Sequence, residues 1–176
     1  MPRSKTRNKT YKPRQVKVPG IIDNLPVPPV MLKKLTNDMD NRILRLRFAG
    51  NNGKDLAALV MYYAAAWLLA GEMDNGQELR DKLETGVREL GKAVLASPDA
   101  VHGPMYDTIL DLTAITTAVV AESTKGEYKR ASESLKGEGI VPFADEFLVT
   151  LAQAGLLQVV NASKDVIQKR QPEQQG

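Results

Sequence analysis

From Val30 onward, apolar residues recur at steps of three and four. Leu32, Leu35, Met39, Ile43 and Leu46 fall on one face of a helix that starts beside Pro29, in a first turn where proline is tolerated. Gly50-Asn51-Asn52-Gly53 breaks this pattern. Gly50 suits the residue just past a helix end, and Asn52 suits the cap of the next helix.

The second helix, Lys54 to Ala70, is apolar nearly all round, which marks an element covered on every side. Asp74, with Gln77 three residues on, resembles a capping pair and opens a third helix. Its buried stripe is Leu79, Leu83, Val87, Leu90 and Val94. Glu78–Lys82 and Glu84–Arg88 are the i,i+4 ion pairs expected of its solvent face. Ser97-Pro98 ends it, and Gly103-Pro104 starts a fourth helix with the stripe Met105, Ile109, Leu112, Thr116 and Val119.

Tyr128, Ala131 and Leu135 line a short helix in a polar stretch bounded by glycines. Pro142 begins the last helical region, where Phe143, Phe147 and Leu151 lead on to Leu156, Val159, Val160, Val166 and Ile167. Gly155 makes that region either one kinked helix or two. No sustained strand alternation occurs. The expected fold is all-α: an irregular bundle of five to six helices around a central apolar helix at about 54–70.

Residues 1–29 differ in kind. Prolines at 2, 13, 19, 26, 28 and 29 exclude a continuous helix or a central strand. The chain is expected to divide into a basic, Pro-rich arm and linker at 1–29, a helical domain at 30–170 and a disordered tail at 171–176. The arm is expected to be extended and mostly disordered, with residues 15–27 in weak extended pairing with the body.

Charge sharpens this division. Arg3, Lys5, Arg7, Lys9, Lys12, Arg14 and Lys17 precede the first carboxylate, Asp23. The rest of the chain has seventeen Lys and Arg against 21 Asp and Glu, so the net +3 hides a basic arm on an acidic body. Clustered cations without a core-forming pattern suit a polyanion. The arm's small polar residues can also donate to phosphate, and Tyr11 can stack on a base. Arg42 and Arg45 share a face near the end of the first helix and extend the basic set. Arg47 points elsewhere, and cations at a helix C-terminus also have a purely structural reading.

Candidate catalytic chemistry is sparse. There is no Cys, which removes disulfides, thiolate nucleophiles and thiolate metal sites. His102 is the single histidine and has no recognisable partner. Asp107 and Asp111 share a helical face but lack the second set of ligands that a metal site needs. No phosphate-binding glycine loop and no Gly-x-Ser-x-Gly elbow occurs. No cofactor, metal or enzymatic activity is expected.

The apolar run Leu56 to Gly71 is short of the roughly 20 residues a bilayer requires. The arm has neither the apolar segment of a secretory signal nor an amphipathic presequence pattern, so a cytoplasmic location is expected. Tyr62, Tyr63 and Trp67 are the side chains that dominate interfaces when they reach a surface, and a homodimer across the second helix would use them. The competing reading is a central core helix.

The function expected from the sequence is that of a non-enzymatic accessory protein bound to DNA or RNA through sequence-nonspecific phosphate contacts. The alternative is a protein-binding adaptor or inhibitor, of the kind phages and mobile elements encode, acting through the helical body.

Overall fold

The computed structural model describes residues 23–50, 52–98, 103–136 and 140–157. They form six helices: α1 Pro29–Ala49, α2 Gly53–Ala70, α3 Gly76–Ala96, α4 Pro104–Glu122, α5 Lys125–Ser134 and α6 Pro142–Gln153. Among the described residues there is no strand, only one isolated antiparallel bridge between Pro26 and Thr124.

Local chemistry explains most of the boundaries. Pro29, Pro104 and Pro142 each open a helix, where the missing N–H costs nothing. Gly50 ends α1 with φ 84°, a conformation that favours glycine. The Asn52 side chain accepts from the Lys54 N–H at 3.0 Å and caps α2. Past α6, Gly155 takes φ 74°. The Leu156 N–H reaches back to the Leu151 carbonyl at 2.9 Å, and the Gly155 N–H bonds to that of Ala152 at 3.1 Å. This is a Schellman closure, so the helix stops here instead of kinking and continuing. The apolar positions Val159 to Ile167 lie outside the described residues.

One expected cap does not form. The link from α2 winds through turns at Ala70–Met73 and Met73–Gly76, so α3 starts at Gly76 rather than Asp74 and has no side-chain cap. Gln77 instead donates to Asp81 at 2.8 Å.

The core is organised by α2, which touches all five other helices. Leu56, Leu59, Val60, Tyr63, Ala64 and Ala66 have no accessible surface. The alanines allow neighbouring helices to approach closely, and Met39, Leu83, Ile109 and Leu151 supply the bulk around them. The stripes of α3 and α4 pack inward, and α3 meets α4 at Gly86, where an added Cβ would lie 2.7 Å from Leu112.

This packing removes Tyr63 from the interface expected of α2. Tyr63 is fully buried, and its hydroxyl lies 3.1 Å from Thr113 Oγ1 and 3.3 Å from the Ile109 carbonyl. Burial pushes its pKa up. Tyr62 and Trp67 are half-buried. Trp67 is enclosed by the Arg80 guanidinium, 4.2 Å from its ring centroid, and by the Phe143 ring at 6.0 Å, edge-on. Tyr63 therefore belongs to the protomer's own core, whereas Tyr62 and Trp67 keep part of their surface.

The body begins ahead of Val30. Residues 23–27 run as a strap across the start of α5. The Lys125 N–H bonds to the Leu25 carbonyl and the Gly126 N–H to that of Asp23, both at 2.8 Å; the Val27 N–H bonds to the Ser123 carbonyl at 3.1 Å. A helix start leaves its first N–H groups without helical partners. Here the strap takes two of them and Thr124 Oγ1 takes the third, from Glu127 at 3.3 Å. The Glu127 carboxylate accepts from the Thr124 N–H at 2.7 Å, completing a capping box that holds its pKa low.

A Cβ at Gly126 would lie 2.8 Å from both the carbonyl oxygen and the Cβ of Asp23. Gly126→Ala is therefore expected to displace the strap and cost about 1–3 kcal/mol. A lower denaturant midpoint, with faster amide exchange at Lys125 and Val27, would show it.

Candidate nucleic-acid interface

The strap is the root of the basic arm. Arg3, Lys5, Arg7, Lys9, Tyr11, Lys12, Arg14 and Lys17 themselves lie outside the described residues. The structure shows where the chain that carries them joins the body: at Asp23, against the first turn of α5, leading through Val27 into α1.

The first turns of α1 extend the positive charge onto the body. Lys33 and Lys34 are exposed, and neither forms an ion pair among the described residues. They border a groove of about 670 Å³ between α1 and the side chains of Tyr62 on α2 and Tyr128 on α5. Asn37 and Asn41, exposed and one turn apart, continue its α1 wall. Helical spacing explains this wall, since Val30, Lys34, Asn37 and Asn41 recur at three and four residues.

Asp38 also lines the groove, but its charge is already engaged. The Tyr62 hydroxyl donates to its Oδ2 at 2.6 Å, and Arg42 Nε donates to the same oxygen at 2.8 Å. The Tyr62 bond and then the Arg42 bond hold the Asp38 carboxyl below its ordinary range. Burial and the Asp38 bond push the Tyr62 hydroxyl up to about 12, so it remains a donor at neutral pH. Burial also raises the pKa of Tyr128.

Arg42 and Arg45, read from the sequence as phosphate ligands, both have an internal partner. Arg45 forks onto Asp55, Nη2 to Oδ1 at 2.6 Å and Nε to Oδ2 at 2.9 Å, while Arg42 Nη1 reaches Oδ1 at 3.0 Å. The tight Gly50–Gly53 turn brings the first turn of α2 back against α1. There the buried carboxylate of Asp55 needs counter-charge. A phosphate would have to compete with Asp55 for these two guanidiniums. Arg47 points away, as expected, and lies over the rings of Phe48 and Tyr106 at 5.6 and 5.4 Å.

The opposite sign gathers elsewhere. A cleft of about 640 Å³ between α3 and α4 is lined by Glu78, Asp81, Glu89 and Asp111, with Lys82 paired to Glu78. Asp107 and Asp111 are both exposed, and among the described residues no group of three or more acidic or histidine side chains could hold a metal ion. His102 lies outside the described residues. No helix among the described residues is long and apolar enough to cross a membrane.

Sequence reasoning missed Lys33, Lys34, Asn37, Asn41 and Tyr128. The spacing of the polar α1 residues was available as a signal. The approach of Tyr128 was not, because it depends on how α5 packs. Comparison with protein-family models, curated proteins and solved structures finds no match.

Asp55→Asn is expected to destabilise the fold by about 2 kcal/mol. This is less than a fully buried pair would lose, because the Arg45 side chain is 50% exposed. The pH dependence follows from Arg45 and then Arg42 holding the Asp55 pKa below its ordinary 3.8. As pH falls, the unfolded chain takes up the proton first. Stability from this pair is thus complete above the ordinary carboxyl range and is lost as pH drops through the lowered folded value. Denaturation across pH 7 to 2 should show a shallower acid loss in Asp55→Asn than in the parent.

Proposed function

We propose that this protein is a non-enzymatic, cytoplasmic accessory protein that binds nucleic acid, with the basic arm gripping phosphates and the helical body mediating self-association or partner contacts. The observation that carries this reading is the segregation of charge: seven cations and no acid in the first eighteen residues, on a body that is otherwise net negative. The position of the arm's root supports it. The strap leads from Asp23 into α1, the helix whose first turns carry Lys33 and Lys34, so these two cations sit on the element that directly follows the arm in the chain. The acidic α3–α4 cleft would repel the same polyanion and so favours one orientation.

Binding of labelled DNA and RNA to the full chain, measured by anisotropy over a salt series, tests the reading. Each neutralised phosphate contributes about −0.7 to −0.9 to the slope of log K against log salt. Replacing the seven arm cations by Gln is expected to flatten the slope and abolish binding at physiological ionic strength. Lys33→Gln with Lys34→Gln should reduce the slope by about one to two. Tight binding without the arm cations would overturn the reading.

A second reading, protein binding through the helical body, is favoured by one surface. Phe48 is 79% and Leu44 48% exposed, one turn apart on α1. Arg47 joins them to Tyr106, and Leu110 follows one turn further along α4. Aromatic, aliphatic and arginine side chains in one patch are typical of interface anchors. If two copies pair here, Phe48→Ser with Leu44→Ser should weaken self-association at least about tenfold in sedimentation velocity. Circular dichroism should be unaltered, since both side chains face solvent.

A further inference from the structure

We infer that the groove between α1 and the tyrosines of α2 and α5 takes unpaired nucleotides, so that the protein prefers single-stranded nucleic acid to duplex. The inference rests on the proposed function and names the form of nucleic acid that the same surface recognises.

Shape comes first. A helix that reads duplex DNA must protrude into the major groove. Here the α1 wall, with Val30, Met31 and Leu35 beside its polar residues, borders a recess of about 670 Å³ that Tyr62 and Tyr128 also line. That volume is in the range of small-ligand sites and can admit a base. A paired base could enter only by leaving its stack, at a cost of a few kcal/mol, whereas an unpaired base incurs little of that cost.

The chemistry of the walls agrees. Tyr62 and Tyr128 offer aromatic surface, which is how single strands are held with little regard to sequence. Asn37 and Asn41 each bring an amide donor and an acceptor, the groups that pair with the free edge of a base. Lys33 and Lys34 stand at the same wall for the flanking phosphates. The one carboxylate in the groove, Asp38, has its charge met by Arg42 and by the Tyr62 hydroxyl, which lowers its repulsion of the strand. The arm joins the body at this end of α1 and would add phosphate contacts indifferent to strandedness.

The test uses the full chain with a single-stranded oligonucleotide and a hairpin duplex of matched phosphate number, compared at physiological ionic strength. The single strand is expected to bind about tenfold tighter, the scale of one stacked base. Asn37→Ala with Asn41→Ala, both at exposed positions, should remove most of that preference and leave the salt slope unaltered. Ultraviolet cross-linking of oligothymidine should label the peptides that carry Tyr62 or Tyr128. Equal affinity for the two forms overturns the inference. So does a preference that survives the Asn pair, or cross-links confined to residues 1–22. In each of these outcomes salt-dependent binding persists and the proposed function stands. Absence of binding to either form at low salt removes both.

Discussion

A helix without a polar face has no side that can be left to water, and α2 is such a helix. Every other helix of the bundle meets it. Its alanines set how closely the neighbours approach, while Leu56, Leu59, Tyr63 and Leu69 supply the bulk they pack against. The remaining stripes, on α1, α3, α4 and α6, are each apolar on one side, so they fit as a shell around a filled centre. The same constraint removes Tyr63 from any surface and encloses Trp67 between Arg80 and Phe143. Ala57, Ala58, Met61, Tyr62, Trp67 and Leu68 keep partial exposure, so the cover within one protomer is extensive without being complete.

Burying α2 creates an electrostatic problem at its first turn, where Asp55 is carried inward. Arg42 and Arg45 meet that charge, and Arg42 then links to Asp38 and, through it, to Tyr62. One ionic network therefore joins α1 to α2 and forms part of the wall of the groove that Tyr62 and Tyr128 line. Cations of two kinds are divided along a single helix. Arg42 and Arg45 pair with Asp55, whereas Lys33 and Lys34 near its start form no ion pair among the described residues. The strap's carbonyls complete the first turn of α5 and fix residues 23–27 against the body just ahead of α1.

Much of the helical framework is legible in the chain. The stripe of α3, Leu83 to Val94, and that of α4, Met105 to Val119, pack where their spacing places them. Pro29, Gly50, Asn52, Pro104 and Pro142 mark ends through dihedral and capping rules that act within a few residues. The Thr124–Glu127 capping box was equally local and could have been read. The Asp74–Gln77 pair misled because the turns after Ala70 depend on how α3 docks. The site was less legible. Arg42 and Arg45 read as a basic cluster because Asp55 lies beyond a glycine-rich turn whose geometry no periodicity conveys.

The sequence by itself determined the all-α class, a count of five to six helices, an apolar helix at about 54–70 and the separation in charge of a basic N-terminal stretch from an acidic remainder. These follow from side-chain period, backbone preference and charge count, which are properties of neighbouring residues. Only the tertiary structure decided that Arg42 and Arg45 pair with Asp55, that Tyr62 and Tyr128 line one groove, and that residues 23–27 bond to the start of α5. Each depends on which helices come together, and that is set by mutual packing around α2 rather than by any single segment.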